Sequence, residues 1–218
     1  MKVGILFDLD GTLLNSLEDL TDSVNYTMAQ YGCPQRTIEQ VRQAIGNGAE
    51  RLVRLSLPGK EDDPPVKEAL AVFQRYYATH SQIKTRPYDG IPEALARLKA
   101  CYPLAIVSNK PDMAVKPLCR DYFGEIYARG ESDDCPRKPA PDMVLQTMAQ
   151  LGVDACVYVG DSDVDVITAQ NAWVPCLSVL WGFRARACLE AAGSKHFCDD
   201  PAMLPQILTE LIEEYYGK

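Results

Sequence analysis

Two carboxylate clusters in this sequence have the residue types and spacing for chemistry. Asp8-Leu9-Asp10-Gly11-Thr12 follows the apolar run Val3 to Phe7, and Gly160-Asp161-Ser162-Asp163-Val164-Asp165 follows a second run, Val157 to Val159. Carboxylates at the end of a buried strand can act as nucleophile, as proton donor and acceptor, or as metal ligands. Each cluster also has an ordinary structural reading, since Asp-Gly is common turn chemistry and Ser or Asp after a strand caps the next helix. If one sheet carries both clusters, several carboxylates meet. Like charges about 4 Å apart repel by roughly 4 kcal/mol per pair at an effective dielectric of 20, and a divalent cation relieves that conflict. An all-oxygen set suits magnesium, whereas zinc prefers histidine and cysteine. His80 and His196, the only histidines, belong to neither cluster.

Two further segments carry groups that fit an anionic ligand. Ser108-Asn109 follows the apolar run Leu104 to Val107 and offers a hydroxyl and backbone N–H groups; a serine there is otherwise a routine cap. Lys138, in Arg137-Lys138-Pro139-Ala140-Pro141, precedes a helical pattern, with prolines that stiffen the approach of its ammonium.

The elements that must position these groups alternate. Short apolar runs at Val3 to Phe7, Leu104 to Val107, Val157 to Val159 and Cys176 to Leu180 read as strands buried on both faces. Between them lie helical patterns: Ala94, Leu95 and Leu98; Val115, Leu118 and Cys119; Val144, Leu145, Met148 and Leu151. Such alternation predicts right-handed βαβ crossovers and an α/β fold with a parallel sheet. Ligands of such sheets bind outside the carboxyl ends of the strands, where the acids fall. Residues 16–84 break the rhythm and show only helical periodicity, as in Ile38, Val41, Ile45, Leu52 and Leu55, with breaks at Gly32 to Pro34 and Pro58 to Pro65. The predicted organisation is a discontinuous α/β core, residues 1–15 and 85–218, with a helical insert at 16–84.

Composition bounds the function. Hydrophobic residues make up 47% and charged residues 24%, the range of globular domains. No apolar stretch approaches the roughly 18 residues that span a bilayer, and the first fifteen residues carry acids instead of a basic, apolar signal pattern. The eight cysteines lie far apart with no C-x-x-C, which predicts buried thiols in a reduced, cytoplasmic compartment. A net charge of −8 repels a polyanionic backbone, so the reading excludes nucleic acid as a partner, along with membranes. A small phosphorylated metabolite remains compatible, and no obligate protein partner is implied.

In order along the chain, D-L-D-G-T, V-S-N-K, K-P-A-P-D and G-D-S-x-x-D resemble the four motifs of the haloacid dehalogenase superfamily. The resemblance implies a Rossmann-like parallel-sheet core with a small all-helical cap domain and phosphoryl-transfer chemistry. It makes Asp8 the nucleophile and Asp10 the general acid and base. Ser108 and Lys138 would hold the phosphoryl group. Asp161, with Asp8 and the Asp10 backbone carbonyl, would bind Mg2+, and Asp165 would be either a further ligand or an anchor behind the site. Thr12 and Asn109 are expected beside the substrate. The dehalogenases that give the superfamily its name lack the second acid, so Asp10 argues against carbon–halogen hydrolysis.

Gly46-Asn47-Gly48-Ala49-Glu50-Arg51 is not a dinucleotide fingerprint, because it follows a helical pattern and has Arg51 where the third glycine belongs. It reads either as a turn between helices or as a substrate loop, since I-G-N-G-A resembles that segment in phosphoglycolate phosphatases; Gly46, Asn47 and Arg51 are then substrate contacts. Trp181-Gly182-Phe183-Arg184 reads as a loop near the site, with Arg184 a surface charge and a substrate contact as the alternative. The expected activity is hydrolysis of a small phosphomonoester, phosphoglycolate favoured by resemblance. The rivals are a β-phosphoglucomutase-type isomerase, a pyrophosphatase or nucleotidase, and a non-enzymatic phospho-acceptor module.

Overall fold

The computed structural model describes residues 1–59 and 63–217, so the part of the Pro58 to Pro65 break at 60–62 lies outside the described residues. The chain divides into two compact units, Met1–Leu14 with Pro87–Lys218, and Asn15–Arg86.

In the first unit, Val3–Phe7 (β1) is buried at every position, as a central strand with helices on both faces must be. The chain leaves through Leu14–Asn15 (β2). The second unit is helical: Leu17–Gln30 (α1), Ile38–Ala44 (α2), Gly48–Ser56 (α3) and Val66–His80 (α4). Thr37 starts α2 with a capping box, its side chain accepting from the Gln40 backbone while Gln40 accepts from that of Thr37. Within this unit α1 packs on α2 and α4, and α3 packs on α4. The buried Asp19 carboxylate accepts the backbone N–H groups of Ile83, Lys84 and Thr85 and the Thr85 hydroxyl, at 2.8–3.1 Å. A buried carboxylate with four donors is well satisfied, and this one fixes the segment that ends the unit to the first turn of α1.

Arg86–Pro87 (β3) pairs with β2, and from Pro87 on the first unit continues with Ile91–Lys99 (α5), Leu104–Pro111 (β4), Asp112–Phe123 (α6), Tyr127–Glu131 (β5) and Asp142–Leu151 (α7). Ala155–Gly160 (β6), Asp163–Asn171 (α8), Cys176–Val179 (β7), Arg186–Ala191 (α9), His196–Cys198 (β8) and Leu204–Tyr216 (α10) complete it. The sheet has the order β5-β4-β1-β6-β7-β8 and is parallel throughout. Alternate strand residues face opposite layers: Ile5, Phe7, Ile106, Val157 and Val159 pack with α5, α6 and α10, while Leu6, Ala105, Val107 and Tyr158 pack with Met143 and Val144 of α7 and Ala169 of α8.

From β1 the chain proceeds outward through β4 and β5, then crosses back to the other side of β1 at β6. That reversal opens a crevice at the carboxyl ends of β1, β4 and β6.

The structure corrects several sequence readings. The strand read as Leu104 to Val107 runs on to Pro111, so Ser108, Asn109 and Lys110 lie within β4 rather than after it. Beyond the four expected strands the structure adds β2, β3, β5 and β8. Ile38, Leu55 and Leu145 fit an apolar period yet are exposed, because each sits at the margin of its helix's buried stripe. The cysteines are all free, but only Cys119, Cys156 and Cys198 are buried, and Cys101 is exposed on the turn after α5. Among the described residues no helix is long and apolar enough to cross a membrane.

Candidate active site

Asp8 is the first residue beyond β1, and its backbone N–H still donates to Val159 O at 2.8 Å, so the sheet itself aims the carboxylate into the crevice. Lys138 reaches it from the loop before α7, with Nζ 2.9 Å from Asp8 Oδ1. The same ammonium lies 2.8 Å from Asp165 Oδ1 and donates to the Tyr158 hydroxyl at 2.9 Å. Its side chain is 2% exposed, a burial that a lysine tolerates only when paired. Burial would push the ammonium pKa down, but the carboxylates of Asp165 and Asp8 outweigh it and hold the pKa well above its ordinary value. Lys138 is therefore a fixed cation.

Asn109 holds the backbone behind it. Its side-chain amide donates to Lys138 O and its carbonyl accepts from Lys138 N, both at 2.9 Å. Further along the loop, Asn171 donates to Pro139 O at 2.8 Å.

Asp165 joins the cap and site readings of the fourth motif. Ser162 is the N-cap of α8, and in a capping box its hydroxyl accepts from Asp165 N while its backbone N–H donates to Asp165 Oδ2 at 3.0 Å. The other oxygen of the fully buried Asp165 carboxylate takes Lys138. The helix cap thus positions the cation.

Asp161, 1% exposed, is held by two hydrogen bonds and packed between two glycines. Thr12 Oγ1 donates to its Oδ1 at 3.1 Å, and the Phe183 backbone N–H donates to its Oδ2 at 2.7 Å. Gly11 and Gly182 press on it so closely that a Cβ at either would land on the Asp161 side chain, and Gly11 has φ +89 besides. Trp181 ties the same loop down by donating from Nε1 to Thr12 O at 3.0 Å.

One ligand atom from each of Asp8, Asp161 and Asp165 lies within 4.8 Å of the others. Their electrostatics register the crowding. Burial raises the Asp8 carboxyl from 3.8 to about 7, opposed by Lys138 and assisted by the Asp165 charge. Burial, then Asp165 and Asp8, raise the Asp161 carboxyl well above its ordinary range. Three carboxylates around one ammonium are short of positive charge, and an all-oxygen set of this kind fits a hard divalent cation.

Asp10 points elsewhere. Both its oxygens are 2.7–2.8 Å from Lys110 Nζ, so its side chain stands outside that carboxylate group. Ser108 is buried at the same end of β4, with its hydroxyl accepting from Lys110 N at 3.3 Å.

The remaining candidates belong to the helical unit. Gly46, with φ +116, and Asn47 form the turn between α2 and α3, and Arg51 is exposed on α3. Arg184, read as a surface charge, is instead largely buried, 3.4 Å from Asp163 Oδ1. Tyr158 and Lys110 join the site without a role expected from sequence. Lys110 was visible in V-S-N-K, but nothing in sequence separates a buried tyrosine that holds a lysine from one that merely packs.

Residues 5–179 match the family description haloacid dehalogenase-like hydrolase. The chain belongs to that family. Within it, the chain is 38% identical over 193 residues to phosphoglycolate phosphatase 1 of Pseudomonas aeruginosa, covering 82% of this chain and 70% of that one. A crystal structure from Lactobacillus delbrueckii subsp. bulgaricus superposes on this haloacid dehalogenase-like chain with a TM-score of 0.86 at 35% identity, covering 94% and 97% of the two chains. The structure of CbbY from Rhodobacter sphaeroides in complex with phosphate aligns with a TM-score of 0.79 at 25% identity, covering 96% and 100%.

Proposed function

We propose that this chain is a magnesium-dependent phosphatase that hydrolyses a small phosphomonoester, phosphoglycolate before others, through a phosphorylated Asp8. The observation that carries the reading is the contact of 2.9 Å between Asp8 Oδ1 and a Lys138 ammonium that Asp165 and Tyr158 also hold. A buried carboxylate beside a fixed cation can approach an anionic phosphorus that would otherwise repel it. The name of the Pseudomonas aeruginosa relative supports phosphoglycolate.

Asp8 attacks phosphorus in line with the leaving oxygen, and the ester bond breaks as the Asp8–phosphorus bond forms. Asp10 gives a proton to the departing oxygen, then takes one from the water that attacks the aspartyl phosphate, which releases phosphate and restores Asp8. Lys138 and the Ser108 hydroxyl hold the phosphoryl oxygens through both steps. Asp8, Asp161 and the Asp10 backbone carbonyl would hold Mg2+, which when bound neutralises phosphoryl charge that Lys138 alone leaves uncompensated. Asp165 acts as the anchor of Lys138 in this scheme. Thr12 and Asn109 serve as supports for Asp161 and Lys138, with the hydrogen bonds given above.

Residues 16–84 are assigned the role of a cap domain that excludes water, with Gly46, Asn47 and Arg51 as its candidates for recognising the organic part of the substrate. The substrate is a soluble metabolite, consistent with a cytoplasmic enzyme.

The test is phosphate release from phosphoglycolate, pyrophosphate, sugar phosphates and nucleotides, with magnesium and with EDTA, by wild type and Asp8→Asn. Magnesium-dependent release that the variant lacks, fastest on phosphoglycolate, is expected. Equal release by the variant would remove Asp8 as nucleophile, and a different fastest substrate would remove phosphoglycolate.

A further inference from the structure

Lys110 and Lys138 are the buried lysines among the described residues, and both end at the crevice. Lys138 is committed to Asp8, Asp165 and Tyr158, which is the phosphoryl end of the proposed reaction. Lys110, whose side chain is 5% exposed, lies instead 2.8 and 2.7 Å from Oδ1 and Oδ2 of Asp10. Phosphoryl transfer to Asp8 does not require this second buried ammonium, and burying an ion pair is a poor way to gain stability.

We propose that Lys110 recognises a carboxylate on the leaving group, so that the site selects phosphate esters of short hydroxy acids over neutral phosphomonoesters. The proposal rests on the phosphatase reading and on Asp10 as the group that meets the leaving oxygen. The bridging oxygen of the ester must lie against Asp10 to receive its proton. In phosphoglycolate the carboxylate carbon is two bonds beyond that oxygen, so its negative charge arrives beside the Asp10 carboxylate, where Lys110 already sits. An ammonium has three N–H groups in a rotatable fan. Exchanging one Asp10 oxygen for a substrate oxygen keeps Lys110 fully bonded, turns its charge from Asp10 to the substrate carboxylate, and leaves that Asp10 oxygen to carry the proton for the leaving group. A neutral leaving group offers no acceptor of equal strength. A site built around a charged donor discriminates against the analogue lacking the matching group.

The test compares phosphoglycolate with 2-hydroxyethyl phosphate, which keeps the bridge and the first carbon but replaces the carboxylate by a neutral alcohol. Kinetics are measured for wild type, Lys110→Met and Lys110→Arg, with circular dichroism to verify folding. Wild type is expected to prefer phosphoglycolate by about a hundredfold in kcat/KM, the scale of one hydrogen bond to a charged group. Lys110→Met lowers kcat on both substrates by loosening Asp10, but collapses the preference to about threefold or less, chiefly through KM for phosphoglycolate. Lys110→Arg restores part of it. An unchanged preference in Lys110→Met would reduce Lys110 to a support for Asp10 and overturn the proposal. So would equal kcat/KM of the wild type on the two substrates, which needs no variant. Turnover of both esters without preference would leave the phosphatase reading intact, whereas release from neither, nor from any phosphomonoester, would remove that reading itself.

Discussion

The Tyr158 hydroxyl accepts a hydrogen bond of 2.9 Å from the Lys138 ammonium and lies 3.2 Å from the Val107 carbonyl, to which it donates. A central-strand aromatic on the α7 and α8 face of the sheet thus orients the cation that faces Asp8 on the neighbouring strand. Tyr158→Phe keeps the ring and removes that link. The expected result is a kcat about three- to tenfold lower and a loss of roughly 1–2 kcal/mol in urea unfolding, as for a buried hydrogen bond with a charged partner. Wild-type kcat in the variant would show that Asp165 and Asn109 position Lys138 without it.

Asp165 carries a heavier burden, because one oxygen binds Lys138 and the other binds the backbone and hydroxyl of Ser162. Asp165→Asn removes the charge and puts an N–H donor where two donors already converge. Breaking a buried pair while leaving its partner in place costs about 3–5 kcal/mol, so a stability loss of that size is expected together with a large fall in kcat. Urea denaturation reads the first and phosphate release the second. A change under about 1 kcal/mol would mean that Asp8 alone satisfies Lys138.

The parts of this architecture legible in the sequence are those set by short-range rules. Val3–Phe7 had to be a two-sided buried strand because five apolar residues end at Asp8. The carboxylates of the first and fourth motifs could be placed at one sheet edge because strand ends in parallel sheets share an edge. The missed elements lack those signals. Tyr127–Glu131 includes Arg129 and Gly130, and His196–Cys198 is only three residues long, so neither shows a continuous apolar run. The end of β4 was missed because Ser108, Asn109 and Lys110 are polar; their side chains are satisfied by long-range partners, Lys138 for Asn109 and Asp10 for Lys110. Such pairings across 29 and 100 residues are properties of the folded sheet and not of local pattern.

Gly182 offers a test of how tightly the site is enclosed. Its missing Cβ leaves room for the Asp161 side chain, which also receives the Phe183 N–H from the same loop. Gly182→Ala must therefore displace Asp161 or the loop. Phosphate release is expected to fall by about a hundredfold, the scale for displacing a catalytic group by about an ångström. Gly152→Ala is the control, since Gly152 has φ +60 at the end of α7 with open space around it. It should cost about 1 kcal/mol in backbone strain and leave kcat unchanged. Equal kcat in the two variants would show that the loop yields without moving Asp161.

The raised carboxyls of Asp8 and Asp161 make metal binding a competition with protons. Burial lifts Asp8 from 3.8 to about 7 and lifts Asp161 well above its ordinary range, both without a cation. A folded-state pKa above the unfolded one means that the metal-free protein binds protons more tightly than the unfolded chain. Asp8's contribution is thus most favourable below its unfolded pKa and is lost as pH rises through about 7. Magnesium needs the carboxylate form, so below about 7 its binding must expel a proton, and above that it need not. Two results are expected. The rise in Tm on adding magnesium should be larger at pH 8 than at pH 6. Isothermal titration calorimetry at pH 6 should give apparent enthalpies that depend on the ionisation heat of the buffer, with at least about one proton released per magnesium bound. A magnesium affinity that stays flat from pH 6 to pH 8, with no buffer dependence, would place the cation away from Asp8.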